Sequence, residues 1–357
     1  MSNFYPVSKP TITDLEKKYA FDAIESGWIS SKGDYIGKFE QAWADYNGYK
    51  HGVACNSGTN ALYLALKALN IGEGDEVIVP NFTMVATAWA VTYTGAKPVF
   101  VDCGNDLNID VSKIEGKITP KTKVIIPVHI YGRQCEMEKI LKIAYEYNLL
   151  VVEDMAEAHG IKPVGDIACY SFYGNKIITT GEGGMCLTND ERIAKQIDHL
   201  RAMGFDSEHS FLHKKMAFNF RMTNVQAAIG LAQVERIDEI LAKRKLIETW
   251  YDSRLHFGNK MPQRNVLWMY DVNVDDTTYY IKQLLLKGVE ARHFFQPMTS
   301  QPLYKDQKAT HETSEFWASR GIYLPTYFDL SEEDVDNICT IFKNINKYNF
   351  SPYEQTK

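Results

Sequence analysis

Short, continuously apolar segments alternate with longer amphipathic segments from about residue 50 to residue 190 of this 357-residue chain. Three of them are EVIVP at 76–80, KVIIPVHIYG at 123–132 and LLVVED at 149–154. They carry apolar residues in succession rather than at every second position, which is typical of strands buried on both faces of a parallel sheet. The alternation therefore predicts an α/β fold with helices on both sides of a mostly parallel sheet.

Helical patterns lie between the apolar segments, and the longest runs from Asn224 to about His256. It is expected to carry the chain out of the first folding unit, because short strands and helices mix irregularly after it. We predict a large domain over residues 1–240, including an N-terminal segment, and a smaller α+β domain over residues 241–357.

Composition excludes several classes of partner. The formal net charge is −6, with 39 basic and 45 acidic residues, so no bulk attraction to nucleic acid or to anionic membranes is expected. The six cysteines form no CxxC pair and the nine histidines show no metal-ligand spacing. Without a signal-like N-terminus or an apolar segment long enough for a membrane span, a cytoplasmic protein with no metal site is predicted.

An acid and a lysine follow two of the predicted strands. Asp154 ends the segment LLVVED, and Lys176 lies in a loop after SFYGN. A pyridoxal phosphate (PLP) site needs this pair, because a lysine amine forms a Schiff base with the cofactor and an acid keeps the ring nitrogen protonated. An isolated Asp is often a loop residue and an isolated Lys is mostly solvated, so the pair carries the prediction.

The segment HGVACNSGTNALYLALKAL reads as a strand, a short loop and a helix. The first N–H groups of a helix are unpaired and favour a phosphate, and Ser57 and Thr59 can add hydroxyl donors. Gly58 allows close approach of the backbone, and Ser171 is a further candidate donor. A simple helix N-cap is the alternative interpretation of this segment.

Several longer motifs carry a family resemblance over nearly the whole chain. They are SGWISSKG (26–33), NSGTNAL (56–62), PVHIYG (127–132), EDMAEAHG (153–160), SFYGNKIITTGEGG (171–184), FNFRMTNVQAAIGLAQ (218–233) and LPTYFDLSEEDV (324–335). In combination they resemble the DegT/DnrJ/EryC1/StrS family of sugar aminotransferases, most of all the enzymes that make GDP-perosamine and related 4-amino-4,6-dideoxyhexoses. The resemblance implies PLP fold type I, like aspartate aminotransferase, with a mostly parallel seven-stranded sheet.

The resemblance also implies roles for single residues. Lys176, Asp154 and Glu157 are expected to be catalytic, with Asp154 at the pyridine nitrogen and Glu157 near the phenolic oxygen of PLP. The other expected cofactor contacts are Ser57, Gly58, Thr59, Met84, Ser171 and Asn219. Asn219 is expected to reach the phosphate in the neighbouring subunit, which implies a homodimer with shared active sites. The expected substrate contacts are His129, Lys32, Trp89 and Arg221.

Two positions depart from the usual pattern of the family. Many members have Gln in place of Glu157, and a carboxylate facing a phenolate oxygen would be repulsive, so one of the two is expected to hold a proton. Members usually have an aromatic residue on the cofactor ring in place of Met84, and methionine offers a polarizable contact without a flat face. Met84 is the predicted ring contact, with Trp89 as an alternative.

The sequence therefore predicts a PLP-dependent aminotransferase that moves the amino group of L-glutamate to C4 of a 4-keto-6-deoxy nucleotide sugar, with pyridoxamine phosphate as the intermediate cofactor form. A perosamine- or viosamine-type product would serve glycan biosynthesis. Transfer to a 3-keto nucleotide sugar or to a keto-octulosonate, and a non-catalytic PLP-binding regulatory protein, stay open as alternatives. A PLP-dependent sugar dehydratase is disfavoured, because the similar dehydratases have histidine in place of Lys176.

Overall fold

The computed structural model describes residues 4–205, 211–255, 261–305, 307 and 311–348. Its larger sheet has seven strands in the order β1-β7-β6-β5-β4-β2-β3. Strand β7 is antiparallel to both of its neighbours, and the remaining pairs are parallel. The strands are β1 (His51–Cys55), β2 (Glu76–Pro80), β3 (Lys97–Val101), β4 (Thr122–Ile125), β5 (Leu150–Asp154), β6 (Ile167–Ser171) and β7 (Gly184–Thr188). The predicted mostly parallel seven-stranded sheet is confirmed.

Helices cover both faces of this sheet, which explains the continuous burial of its strands. All five residues of β7 and the last four of β2 are buried. The helices are α1 (Asp14–Glu25), α2 (Asp34–Asn47), α3 (Gly58–Ala68), α4 (Val85–Thr94), α5 (Met137–Glu146), α6 (Glu191–Arg201), α7 (Asn224–Glu235), α8 (Ile237–Arg254), α9 (Thr277–Leu286), α10 (Glu312–Arg320) and α11 (Glu332–Tyr348). In the described part of the chain, none of these helices is long and apolar enough to cross a membrane.

A second, three-stranded antiparallel sheet lies in the C-terminal part of the chain, in the order β8-β10-β9. Its strands are β8 (Tyr270–Asn273), β9 (Arg292–His293) and β10 (Gly321–Leu324). An apolar core of its own includes Leu284, Ile322 and Ile338. The domain boundary at residue 240 falls inside α8 and stays a prediction, and residues 349–357 lie outside the described residues.

Two predicted elements are corrected. The helix expected from Asn224 to about His256 is interrupted at Arg236, whose ψ of 7° departs from helical values, and His256 lies outside the described residues. The Arg236 guanidinium binds the buried Glu16 carboxylate of α1. The strand expected over 123–132 ends at Ile125, since Pro127 has no N–H to continue the ladder, and the following segment meets the end of β5 through an isolated bridge between Val128 and Asp154.

Helices α2 and α7 approach closely because α7 has a glycine at the contact. A Cβ atom at Gly230 would lie within 2.8 Å of three ring carbons of Phe39, which is fully buried and packs against Trp43 and Phe172. The ring cannot move away without disturbing these neighbours. The lack of a side chain at Gly230 therefore fixes the distance between the two helices.

We expect Gly230→Ala to lower the free energy of unfolding by about 1–3 kcal/mol, because the added methyl group overpacks this contact. Urea unfolding followed by tryptophan fluorescence measures the change. Gly37→Ala on α2 is the matched control, since a Cβ atom there meets nothing within 4 Å and alanine favours a helix by up to about 1 kcal/mol. Equal midpoints for the two variants would contradict this account of the packing.

Candidate active site

The cavity that holds Lys176 lies at the carboxyl ends of the strands in the larger sheet, where ligands of open α/β sheets bind. Its volume is about 400 Å³, within the range of small-molecule sites. Eight of the nine predicted cofactor contacts line it together, all but Asn219. They are Ser57, Gly58, Thr59, Met84, Asp154, Glu157, Ser171 and Lys176.

One end of the cavity is formed by the N-terminus of α3. The Ser57 hydroxyl caps this helix by accepting a hydrogen bond from the backbone N–H of Asn60 at 3.2 Å. A Cβ atom at Gly58 would lie 2.6 Å from the Cβ of Ser171, so only glycine lets α3 approach the end of β6 this closely. Hydroxyl groups and helix N–H groups from two elements therefore meet at one place, and such a group of donors suits a phosphate.

Asp154 lies at the end of β5 and is 5% exposed. Its Oδ2 accepts a hydrogen bond from the Thr87 hydroxyl of α4 at 2.9 Å, and its Oδ1 accepts one from the backbone N–H of Ala156 at 3.1 Å. Burial raises the pKa of this carboxyl, while the two donors and the charge of Lys176 oppose the rise. The carboxyl is thus held in one orientation beside the cavity.

Lys176 reaches the cavity from the loop after β6. Its Nζ lies 4.3 Å from the centre of the Trp268 ring and 4.0 Å from Oε1 of Glu157. Burial lowers the pKa of the amine, and the carboxylates of Glu157 and Asp154 oppose this shift. An amine with a lowered pKa has a larger uncharged, nucleophilic fraction near neutral pH.

Glu157 is 3% exposed and accepts a hydrogen bond through Oε2 from the backbone N–H of Tyr131 at 2.8 Å. Burial raises its pKa to about 7, against the opposing charge of Lys176. Because Tyr131 has a φ of 50°, a left-handed value uncommon for a non-glycine residue, the backbone here is bent so that its N–H faces Glu157. Because its pKa is about 7, the Glu157 carboxyl exchanges its proton near neutral pH.

Met84 lines the cavity at the start of α4 and is 45% exposed. Trp89, on the same helix, is absent from the cavity wall, and its ring lies 6.4 Å from that of Tyr93 instead. Met84 precedes the first helical residue and has an extended backbone, so its side chain points independently of the helical face that carries Trp89. Within one chain, the structure therefore places Met84 and not Trp89 in the cavity wall.

Within one chain, the structure does not place His129, a predicted substrate contact, in the wall of the cavity. His129 is fully buried, its Nδ1 accepts a hydrogen bond from the Cys135 N–H at 3.1 Å, and its Nε2 lies 2.9 Å from Glu153 Oε2. The neighbouring Val128 lines the cavity, and successive side chains of an extended segment point to opposite sides. The His129 side chain consequently points away from the cavity and packs in the protein interior.

Lys32 and Arg221 line a second cavity of about 550 Å³, separate from the first. Asn219 is exposed, and its Oδ1 accepts a hydrogen bond from Arg221 Nε at 3.0 Å. Within the described residues of one chain, the structure therefore does not bring Lys32, Arg221 and Asn219 to the cavity that holds Lys176.

Several cavity residues were not singled out from the sequence. Thr87 binds Asp154, Trp268 contacts Lys176, and Arg292 and Tyr323 form part of the wall. Trp268 also donates from Nε1 to the backbone oxygen of Asn175 at 2.9 Å, next to Lys176. The segment RHFFQPM at 292–298 contributes Arg292 and Phe295 to this wall. Among the described residues, no group of three or more His, Cys, Asp or Glu side chains is arranged to hold a metal ion.

Solved structures share this architecture. Spr1654 of Streptococcus pneumoniae in its PMP form is 28% identical, with a TM-score of 0.90 and coverage of 97% of this chain and 98% of the other; it was also solved in a PLP form. Helicobacter pylori PseC, an aminotransferase involved in the biosynthesis of pseudoaminic acid, has a TM-score of 0.91 at 26% identity, with coverage of 97% and 100%. Fold and site together define an α/β protein of PLP fold type I.

A sequence profile of the DegT/DnrJ/EryC1/StrS aminotransferase family matches residues 10–343. GDP-perosamine synthase of Caulobacter vibrioides is 46% identical over 364 residues, which cover 95% of this chain and 97% of the relative. The chain belongs to the DegT/DnrJ/EryC1/StrS aminotransferase family. The predictions of an aminotransferase and of a PLP cofactor are thereby confirmed at the level of the family.

The residues of the cavity fit this cofactor. The N-terminus of α3 offers donors for a phosphate, Asp154 offers a fixed carboxyl for a ring nitrogen, and Lys176 offers a buried amine for an aldehyde. Gly58 keeps the phosphate end open, since a side chain there would meet Ser171. When bound, the cofactor supplies an electron sink that this set of side chains lacks.

We expect Glu157→Gln to flatten the pH dependence of stability in protein freed of cofactor. The pKa of Glu157 is raised from 4.5 to about 7 on folding, so its contribution is fully present below pH 4.5 and is lost as the pH rises through 7. The difference amounts to up to about 3 kcal/mol between pH 5 and pH 8. Urea unfolding at a series of pH values measures it.

Glu182→Gln is the control, because it neutralises an exposed carboxylate in the wall of the same cavity. It should retain the wild-type slope of stability against pH. If the Glu157→Gln protein also kept that slope, the buried carboxyl would not be the group that titrates.

Proposed function

We propose that this protein moves the amino group of L-glutamate to C4 of a 4-keto-6-deoxy nucleotide sugar, giving a perosamine- or viosamine-type product for glycan biosynthesis. The observation that carries the proposal is the pairing of a buried Lys176 amine with the fixed Asp154 carboxyl in one cavity, in a member of an aminotransferase family. Similarity to a GDP-perosamine synthase over nearly the full length supports the substrate class.

In this proposal each buried group has one task. Lys176 holds the cofactor aldehyde and moves the proton at the reacting carbon of donor and acceptor. Asp154 pairs with the ring nitrogen and is kept in place by Thr87. Glu157 lies near the phenolic oxygen, and its pKa of about 7 supports the view that the two oxygens share one proton. Met84 contacts the ring of the cofactor.

Ser57, Gly58, Thr59 and Ser171 hold the phosphate in this proposal. Donor and acceptor use the cavity in turn, so L-glutamate leaves as 2-oxoglutarate before the sugar enters. Ping-pong kinetics follow from that order.

We further propose a homodimer in which Asn219 reaches the phosphate site of the partner, with Lys32 and Arg221 near the substrate there. A partly exposed aromatic cluster supports the assembly: Tyr63 forms edge contacts with Tyr93 and with Phe218, and the exposed Trp89 lies beside Tyr93. A cytoplasmic location is also proposed, since all six cysteines are buried and unpaired, as in a reducing compartment.

The first test follows the two half-reactions by the visible absorbance of the bound cofactor. L-glutamate should bleach the absorbance of the wild type, and a 4-keto-6-deoxy sugar on GDP, UDP or dTDP should restore it after the donor is removed. Lys176→Ala should abolish both changes, because no other described side chain of the cavity supplies a nucleophilic amine. Lys139→Ala, an exposed lysine of α5, is the control.

The outcomes separate the parts of this proposal. Bleaching without recovery on any 4-keto sugar would keep the aminotransferase and contradict the acceptor, and 3-keto sugars would then be tried. An absorbance that L-glutamate leaves unchanged would contradict the donor.

The second test mixes two inactive variants, Lys176→Ala and Asn219→Asp. If Asn219 serves the site of the partner, each hybrid dimer has one site with both changes and one with neither. Random exchange of subunits should therefore restore about a quarter of the wild-type activity per site. Native mass spectrometry verifies that hybrids form. Hybrids without activity would contradict the shared site.

A further inference from the structure

Arg292 is a cation in the wall of the cavity that holds Lys176, and none of the proposed roles uses it. The described residues that line the cavity include two cations, Lys176 and Arg292, and three acids, Asp154, Glu157 and Glu182. An amino acid donor brings further negative charge into this cavity. Lys176 is engaged with the reacting atoms. Among the described residues of the same chain that line the cavity, Arg292 is then the cation that can offset the charge of a bound anion.

The guanidinium of Arg292 is held in place and still available to a ligand. Glu290 Oε1 accepts hydrogen bonds from its Nε at 3.0 Å and its Nη2 at 2.8 Å, and Glu290 Oε2 accepts one from the backbone N–H of Val7 at 2.9 Å. The side chain of Arg292 is 53% exposed, and in the described part of the chain no acceptor binds its Nη1. The free N–H groups of such a fork match the two oxygens of a carboxylate.

The backbone directs this residue to the cavity from the smaller sheet. Arg292 pairs with Tyr323 across β9 and β10, and Tyr323 also lines the cavity. The charge thus comes from a part of the chain far in sequence from Lys176. It lies in the same cavity wall as the reacting amine.

We propose that Arg292 binds the α-carboxylate of the amino donor. This inference rests on the proposed function. The α-carboxylate is bonded to the carbon that gives up the amine, so it must lie near Lys176 when that carbon reacts. The diphosphate of a nucleotide sugar is bonded to C1, across the pyranose ring from C4, and lies farther from the reacting carbon. A cation in the same cavity as the lysine therefore suits the donor better than the diphosphate.

One consequence is that the two half-reactions should depend on Arg292 to different extents. The donor needs the carboxylate contact, whereas the 4-keto sugar presents hydroxyl groups at the same place and depends less on a positive charge. Replacing Arg292 should impair the reaction with L-glutamate and leave the reaction with the sugar largely intact.

The test measures binding to the enzyme in its pyridoxal form by calorimetry. Glutarate serves as a dicarboxylate that lacks an amine and cannot react, and GDP, UDP and dTDP serve as phosphate probes. Arg292→Gln should weaken glutarate binding by about 10- to 100-fold, because charge-assisted hydrogen bonds are lost, and should leave the affinity for nucleoside diphosphates unchanged. Stopped-flow absorbance should show a slower half-reaction with L-glutamate alone.

Arg320→Gln is the matched control, since Arg320 pairs with Asp275 on the surface and does not line the cavity. Arg292→Lys should retain part of the glutarate affinity, because the charge remains and the fork is lost, and it replaces Arg292→Gln if that variant does not fold. Unchanged glutarate binding in both Arg292 variants, a loss confined to nucleoside diphosphates, or a wild type that binds no glutarate would each overturn the inference. A wild type that L-glutamate does not bleach would contradict the proposed function instead.

Discussion

The burial of one amine between two carboxyls is the constraint on which the site depends. Lys176, Asp154 and Glu157 lie in one cavity, and burial shifts the pKa of each toward its uncharged form. The charge of Lys176 stabilises the charged form of each carboxyl and is stabilised by them, whereas a charge on Asp154 raises the pKa of Glu157 further. Glu157, with a pKa raised to about 7, is the member of this set that exchanges its proton near neutral pH. Such exchange suits a reaction that moves a proton between a carbon atom and a base.

The parallel sheet brings these groups together at low conformational cost. Asp154 and Ser171 end the neighbouring strands β5 and β6, and α3 begins just after β1. Because strand ends are fixed by the ladder of the sheet, the carboxyl, hydroxyl and helix N–H groups need few loop residues to hold them. Thr87 and Tyr131 then orient the two carboxyls through single hydrogen bonds. The backbone of strands and helices thus holds most groups of the site in place, so these groups lose little conformational entropy when a ligand binds.

The sequence predicted what depends on local pattern. The sheet, most of its strands and the pairing of Asp154 with Lys176 follow from apolar runs and from residues next to strand ends, whereas Glu157 was expected at the site from the family resemblance. The position of His129 outside the cavity wall could not be predicted, because the direction of its side chain depends on tertiary contacts, here with Glu153 and Cys135. Arg292 and Trp268 come from the smaller sheet region, about a hundred residues away, so no local pattern could join them to Lys176. Lys32 and Arg221 lie together in a second cavity, and this placement also depends on tertiary structure that no local pattern predicts.

The charges around the cavity also limit how two unlike substrates can share it. A phosphate at the N-terminus of α3 would be balanced by helix N–H groups and would leave the charge balance around Lys176 largely unchanged. The carboxylates of the donor need a cation of their own, and a neutral hexose does not. Arg292 is half-exposed, with one edge of its guanidinium bound to Glu290 and the other edge free. It can bind the carboxylate of the donor, and it stays solvated when the sugar occupies the cavity, so no buried charge is left unpaired. The exposure of Arg292 is therefore as important to alternating use of one cavity as its charge.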